Sequence, residues 1–589
     1  MFPGPRELAS RSGKCALRCR SGSIDSNYER SRPFKRLEFK GALHGPVLSI
    51  DPLQHSTCSF AMIILALILG LGAFALYFVF WPKPLPNFPH NPITSILGDL
   101  PEILRMIKSG KTLSEYYGLL VERHGPIIQM FIGWHMSLVV ADRREAERLM
   151  IKFKNVDFPP TVFRMFEPLI PLSIMGLPGK DTWKHHRRVM GPTMNRRFLT
   201  RMEPHVFEMA SKLVKLWERK HQIVGDLAFA ADLDLGLASM NSLSIIGVGA
   251  SLDPLDRIPA STIPVERTDK SGIVDIPVES STPMFDGIRN LMTKVGAVFL
   301  LPLPSITFPA FLWLSPSWRR DLHMIRSFLT NKIVEAKKRE VNYAMLATDA
   351  ECVLDMLLLP DPRDGTDQFD EKELLDELAA FLIAGSTVGK VLAWFVKYMP
   401  QDPEIQQRLH NEMRAIFDGN KEDMSKCLAE LNNPDKVPIL EAVMAETLRC
   451  AQVTSATVRS LLSDDVIGGH HAPKGTTLII PLWYFATQES AWGSDSHIWR
   501  PSRWLASDGS FNPNLGSAYY PFGLGHRSCF GQKLGVMQLK LFIAALSYAF
   551  VFKPVPAEVD VWHSGSFITS HPKKCYVSLE RWDSVAVNV

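Results

Sequence analysis

Cysteine is scarce in this chain: eight occur in 589 residues, at Cys15, Cys19, Cys58, Cys352, Cys427, Cys450, Cys529 and Cys575. Apart from Cys15 and Cys19, none stand at a paired, zinc-like spacing. The set is too sparse for a disulfide scaffold, so a reducing compartment is expected for the main domain. Net charge is nearly absent as well, with 65 Lys and Arg against 61 Asp and Glu and a formal charge of +4. No basic stripe interleaved with aromatics disturbs that balance, and nucleic acid is not expected as a partner. The composition of a disordered chain is missing too, because 46% of residues are hydrophobic and 21% charged, enough for a large core. The motif spacing below fits one helical domain of about 500 residues better than several average ones.

Long apolar runs are rare, and one stands out. From Cys58 to Trp81 no charged residue occurs. The run is long enough for a helix to cross a hydrocarbon core of about 30 Å, and Tyr77 and Trp81 suit its interfacial end. Residues 58–81 are therefore expected to form a transmembrane anchor. A buried core helix seldom runs so far without a polar face, and a signal peptide would need a shorter run and a small-residue cleavage site. Residues 1–57, rich in Arg, Ser, Gly and Pro, read as a disordered basic extension. Residues 82–93 carry Pro82, Pro84, Pro86, Pro89 and Pro92 and form a stiff hinge. Residues 94–589 are expected to form the main folded domain.

The chain is organised around a stretch near its C-terminus, Tyr520-Pro-Phe522-Gly523-Leu-Gly525-His-Arg527-Ser-Cys529-Phe-Gly531-Gln532. An apolar helical pattern begins directly behind it, through Leu534, Met537, Leu541 and Leu546. Cys529 thus stands at a helix N-terminus, where unpaired N–H groups and the helix dipole favour a thiolate over a thiol. Gly523 and Gly525 permit a tight loop, Gly531 permits close approach of a flat ligand, Phe522 is placed to shield the sulfur and Arg527 to meet an anion. A lone cysteine before a helix is more often a small buried hydrophobe. The whole pattern is more specific: Phe522-Gly-x-Gly-x-Arg527-x-Cys529-x-Gly531 resembles the haem-binding loop of the cytochrome P-450 family.

That resemblance implies a mainly α fold with a small β region, preceded by one N-terminal transmembrane helix. It also implies haem b with Cys529 as axial ligand of the iron, and Arg527 paired with a propionate. Three further motifs follow the family's order. Trp183 and Arg187, four apart on one helix face, match W-x-x-x-R, whose Trp and Arg hold a propionate. Glu446 and Arg449 match E-x-x-R, and with Arg503 of Pro501-Ser-Arg503-Trp504 they imply a buried charge triad that serves folding rather than chemistry. Arg459 matches another propionate-pairing arginine, although the double proline usual before it is absent.

A long helix is expected from Asp370, with Ala384-Gly385-Ser386-Thr387-Val388-Gly389 at its centre. In the family Gly opens a kink there, and an acid followed by Thr delivers protons to bound oxygen. Counted back from Leu392-Ala393-Trp394, one residue is missing: Thr387 matches the alcohol and the acid is absent. Gly385 and Thr387 are the expected catalytic positions. Ile127–Ile132 and residues 137–140 read as strands, residues 157–179 as an apolar loop equally suited to substrate contact or core filling, and residues 252–283 as a long polar loop.

The activity implied is insertion of one O₂ atom into a hydrophobic small molecule, with electrons from NADPH through a membrane-bound flavoprotein reductase and cytochrome b5 as a further partner. The wording of the motifs looks most like fungal members that tailor secondary metabolites such as terpenoids, which is analogy. Two rivals stay open: a haem-thiolate isomerase, dehydratase or peroxide-driven enzyme needing no reductase, and a non-catalytic haem protein. The family's partner works from the cytosol, on an endoplasmic reticulum membrane crossed once. Ten Lys and Arg precede the anchor and only Lys83 closely follows it, so the positive-inside rule alone would place the catalytic domain in the lumen. A start at Met62 would remove the conflict, with residues 1–61 an extension of the gene model. A mitochondrial presequence is disfavoured by Glu7, Asp25, Glu29, Glu38 and Asp51.

Overall fold

Three helices buried on most sides pack in the core of the second unit against the apolar face of a long amphipathic one. In the computed structural model, residues 52–152, 155–255, 267–268, 272–276, 282–299, 301, 304–342, 350–360, 369–451, 453–562 and 569–582 are described. The chain divides into two units, Met1–Phe74 and Ala75–Val589. The basic extension expected over residues 1–57 lies outside the described residues as far as Asp51. Helix α1 (Pro52–Val79) starts ahead of the uncharged run, and its stretch Met62–Val79 is long and apolar enough to cross a membrane, with its described side chains exposed.

The second unit opens with a five-stranded sheet. Strands β1 (Ile127–Ile132) and β2 (His135–Val140) pair as a hairpin, and β3 (Val156–Asp157) lies at the far edge. Helices α2 (Asp181–Met190), α3 (Arg196–Val224) and α4 (Asp232–Val248) follow. Next come α5 (Glu371–Ala384), α6 (Ser386–Tyr398) and α7 (Pro438–Ala451). The chain then returns to the sheet with β4 (Thr457–Leu461) and β5 (Thr477–Ile480), giving the order β1-β2-β5-β4-β3 in which only β2 and β5 run parallel. Helix α8 (Gln532–Ala549) completes the core.

Period-2 alternation sorts the sheet's side chains onto two faces. Leu138, Val140, Leu478 and Ile480 pack toward Leu149 and Phe485, while Ile128, Met130, Val139 and Ile479 pack toward Tyr116 and Leu120. The main core lies among α3, α4, α6 and α8, with Leu213, Trp217, Leu235, Leu392, Phe395, Phe542 and Leu546 enclosed. Asp370 starts α5 with a capping box, its side chain accepting from Lys372 and Glu373 N–H while Glu373 reaches back to its own N–H.

The helix expected as one from Asp370 is two, divided at Gly385, whose N–H turns to the Leu382 carbonyl at 3.1 Å. Together Glu371–Gln401 pass a membrane test by length and composition, but 78% of the span is buried in the protein, so it is a core helix pair. The long loop expected over residues 252–283 needs correction. Ile273–Val274 pairs with Ala228–Phe229 and Arg267–Thr268 pairs with Ile273–Val274, extending a second sheet that holds Phe550–Lys553 and Tyr576–Arg581. Strands of two residues carry too little periodicity to be read from sequence.

Candidate functional site

The cysteine loop is shaped by two glycines in the left-handed region. Gly523 has φ +73° and Gly525 φ +71°, and a Cβ on Gly525 would fall 1.9 Å from the Met150 carbonyl oxygen. Only glycine fits there. The loop closes on itself through Cys529 N–H donating to the Phe522 carbonyl at 2.8 Å and Ser528 N–H donating to that of Gly525 at 3.0 Å. Gly531 caps α8 without a side-chain bond, and its N–H donates to the Cys529 sulfur. The Phe522 ring leans toward Gly535 on α8.

Cys529 opens onto a concave space that protein encloses on most sides. That desolvation pushes its thiol above the ordinary range, against the smaller help of the Gly531 N–H and the Arg187 charge. The helix N-terminus by itself does not offset that burial.

Three arginines gather beside the loop, and they are not alike. Arg527 is anchored: Nε donates to Asp157 Oδ1 at 2.7 Å and Nη2 to Oδ2 at 3.2 Å, while Nη1 reaches the Ile174 carbonyl at 3.1 Å and Nη2 the Leu177 carbonyl at 2.8 Å. Of the five N–H donors of a guanidinium, one on Nη1 stays open. Its plane also lies 4.4 Å from the Trp183 ring centroid and 4.9 Å from that of Phe158. Asp157, fixed further by the Gly179 N–H at 2.6 Å, is held below the usual carboxylate range despite burial, chiefly by Arg527.

Arg187 and Arg459 have no carboxylate partner among the described residues. Arg187 lies over Phe530 at 4.9 Å and over Trp183 at 5.6 Å, and desolvation lowers its pKa. Arg459, 1% exposed, bonds Thr457 Oγ1 and the Val458 carbonyl through Nη1, while its Nε is buried with no acceptor. Burial brings it down to about 10, with the Arg527 charge adding to the fall. Trp183 donates its single N–H to the Ile174 carbonyl at 3.1 Å. Its contribution is the ring face offered to Arg187 and Arg527.

This cradle fits haem by its own chemistry. Three guanidinium charges less the one of Asp157 leave two positive charges, the number that two propionates neutralise, and Arg459 Nε is an orphaned donor that a propionate oxygen would satisfy. Among the described residues no group of three or more His, Cys, Asp or Glu side chains is arranged to hold a metal ion.

Gly385 and Thr387 lie where α5 gives way to α6. A Cβ on Gly385 would meet Leu243 Cδ2 at 2.8 Å, and its carbonyl accepts from Ser239 of α4 at 3.1 Å. Gly389 likewise lies against Ser239 and Gly236, so small residues let α6 press onto α4. Between Asp376 and Lys397 every residue is buried except Ala384, Ser386, Thr387 and Lys390, which leave one side of the helix pair open. Helix α6 contains no Asp or Glu.

The charge triad forms as expected and is more extensive. Glu446 accepts from Arg449 Nε at 2.8 Å and Nη2 at 2.7 Å, from Arg503 Nε at 2.9 Å, and from Trp504 Nε1 at 2.9 Å. Arg449 Nη1 also reaches the Ala486 and Ser496 carbonyls, which ties α7 to the following meander. Burial alone would raise the Glu446 pKa, yet Arg449 holds it low.

Sequence reasoning missed two groups. Asp157 carries no local mark of its tie to Arg527, since the partners stand 370 positions apart. His186, fully buried on α2, lies between Glu377 at 2.7 Å and Glu373 at 3.3 Å. Its place directly before Arg187 and the acid pair at i, i+4 were the available signals.

A family model described as cytochrome P450 matches residues 89–579. A cytochrome P450 monooxygenase of Fusarium sporotrichioides is 25% identical over 587 residues, covering 87% of this chain and 99% of that protein. One from Pestalotiopsis microspora is 24% identical over 577 residues, 90% of this chain and 99% of its own length. A steroid 17-alpha-hydroxylase/17,20 lyase of Squalus acanthias is similar at 22% over 522 residues, 85% of this chain and 91% of its own.

Proposed function

The chain belongs to the cytochrome P450 family, and on that premise we propose that it oxidises a hydrophobic small molecule of fungal secondary metabolism, terpenoid-like by analogy. It is a monooxygenase that uses haem and draws electrons from a redox partner. NADPH through a membrane-bound flavoprotein reductase, with cytochrome b5 as a further donor, is the proposed supply. The proposed site is the cytosolic face of the endoplasmic reticulum, anchored once through Met62–Val79.

Haem, when bound, supplies the iron at which dioxygen is reduced and cleaved. Cys529 would hold that iron through its sulfur, whose charge the Gly531 N–H steadies. Arg187, Arg459 and the open Nη1 hydrogen of Arg527 would take the propionates, with Asp157 and Trp183 fixing where Arg527 points. Phe530 and Trp183 exclude water around Arg187. Thr387, half-buried on the open side of α6, can hold a proton for transfer on its hydroxyl, and Ser386 beside it offers a second hydroxyl to water. The observation that carries this reading is the cradle itself: an accessible cysteine with two desolvated arginines that form no ion pair with a carboxylate among the described residues.

One observation favours a second reading. With no carboxylate in α6, proton delivery rests on hydroxyls and water, which a haem-thiolate isomerase, dehydratase or peroxide-driven enzyme would not need. Product formation from a panel of terpenoid and other apolar compounds separates the two. Turnover that requires both NADPH and reductase supports the monooxygenase reading; turnover with peroxide alone, and none with NADPH plus reductase, supports the other.

A further inference from the structure

Among the described residues, each fully buried lysine meets a carboxylate. Lys220 meets Asp234 at 2.6 Å, Lys397 meets Asp560 at 2.9 Å, and Lys540 pairs with Glu441. Lys390, half-buried on α6, has no carboxylate partner among the described residues. Its ammonium instead donates to the Thr569 hydroxyl. The segment around Thr569 is held in turn by Ser570 N–H on the Val453 carbonyl at 2.9 Å, just beyond α7. Lys390 is therefore the bridge between the open side of α6 and the C-terminal segment that faces it.

Its position gives that bridge a meaning. Ala384, Thr387 and Lys390 recur every three residues, so they share one side of the helix pair, the side left open. Thr387 stands one turn from Lys390. No carboxylate among the described residues pairs with the ammonium; Asp232 acts on His571 rather than on Lys390. His571, two residues past Thr569, is itself kept neutral by burial and by the Lys390 charge, and its Nδ1 is buried with no hydrogen-bond partner. Desolvation brings Lys390 down to about 8, which leaves it mostly charged at neutral pH. A cation held this way is destabilising unless an anion arrives.

We propose that Lys390 is a specificity residue: its ammonium, with the Thr569 hydroxyl beside it, receives a carboxylate carried by the substrate and so orients an otherwise apolar molecule along α6 toward Thr387. One positive charge matches one carboxylate, and the two carboxylate oxygens match the two donors. A phosphate dianion would bring a second charge with no partner. The inference rests on the monooxygenase reading for the place of Thr387, but the cation and its surroundings are properties of this chain's own residues.

The test uses full-length, haem-loaded protein in lipid nanodiscs and reads binding by calorimetry, which does not depend on the iron's ligand. Octanoate, dodecanoate and hexadecanoate are each titrated against their methyl esters at pH 7. The acids are expected to bind at least tenfold tighter than their esters. Lys390→Met is expected to remove that preference by weakening the acids at least tenfold with the esters unchanged, and Lys390→Arg to keep it. Equal affinity for acid and ester across the series, or a Lys390→Met variant that weakens both alike, would overturn the proposal; the second result would leave Lys390 a latch for the Thr569 segment. The carbon monoxide spectrum of each preparation is scored separately, so a wild type without a thiolate-type band counts against the haem-thiolate reading and leaves the acid-against-ester result to judge Lys390.

Discussion

Arg527 grips Asp157 with two parallel hydrogen bonds, Nε to Oδ1 at 2.7 Å and Nη2 to Oδ2 at 3.2 Å, although the residues stand 370 positions apart. The pair joins the cysteine loop to edge strand β3 and converts three neighbouring positive charges into a net two. Both side chains are nearly enclosed, 2% exposed for Arg527 and 8% for Asp157. Removing the carboxylate leaves a buried cation. Asp157→Asn is therefore expected to destabilise the haem-free protein by about 3 kcal/mol, and the haem-loaded protein by less than half of that, because a propionate then offers Arg527 another anion. Urea unfolding of both forms checks the difference; equal losses would detach Arg527 from the cofactor.

Arg187 and Arg459 should behave in the opposite sense. Each is a desolvated guanidinium without a carboxylate among the described residues. Replacing Arg459 by Leu is expected to leave the haem-free protein as stable or more so. The same change should speed haem transfer to apomyoglobin at least tenfold, since one propionate loses its cation. Opposite signs in the two assays are the signature of a cofactor-binding arginine.

The Glu446 triad is a matter of folding. Both partners of the Glu446–Arg449 pair are fully buried, and Arg503 shares the same carboxylate. Glu446→Gln is expected to cost about 3–5 kcal/mol. Soluble, haem-loaded protein should fall accordingly, with the absorption spectrum of the surviving fraction unchanged.

Stability should also carry a pH signature from Glu412. Its carboxyl accepts from the Ile439 and Leu440 N–H groups at 2.9 Å each, at the start of α7. Burial nevertheless raises it from 4.5 to about 7. The native state then holds a proton that the unfolded chain releases, so stability falls as pH rises from about 4.5 through 7. Glu412→Gln, which cannot ionise, is expected to flatten that slope in unfolding midpoints measured from pH 5 to 8.

Local chemistry was legible in the sequence, and long-range pairing was not. Gly523, Gly525 and Cys529 could be read because a tight turn before an apolar helix demands those residue types in that order. Strands β1 and β2 were legible from their short apolar runs. The partner of Arg527 was hidden because Asp157 lies in a two-residue strand set opposite the loop by the sheet order β4-β3. The burial of Cys529 was hidden for a related reason: a helix N-terminus is visible in sequence, whereas desolvation by distant elements is not. The tie of the Trp183 N–H to the Ile174 carbonyl was hidden too, since it lies in a loop whose path periodicity does not specify.

The most direct measurement of the central claim is the carbon monoxide difference spectrum of the full-length protein. It is recorded after reduction with dithionite and again with NADPH plus a flavoprotein reductase, for wild type and for Cys529→Ala. A thiolate-type shifted Soret band in the wild type with both reductants, lost in Cys529→Ala, is the predicted result. A wild type that binds haem yet shows no thiolate-type band, or a band that survives in Cys529→Ala, would contradict the assignment of Cys529 as the ligand around which the site is built.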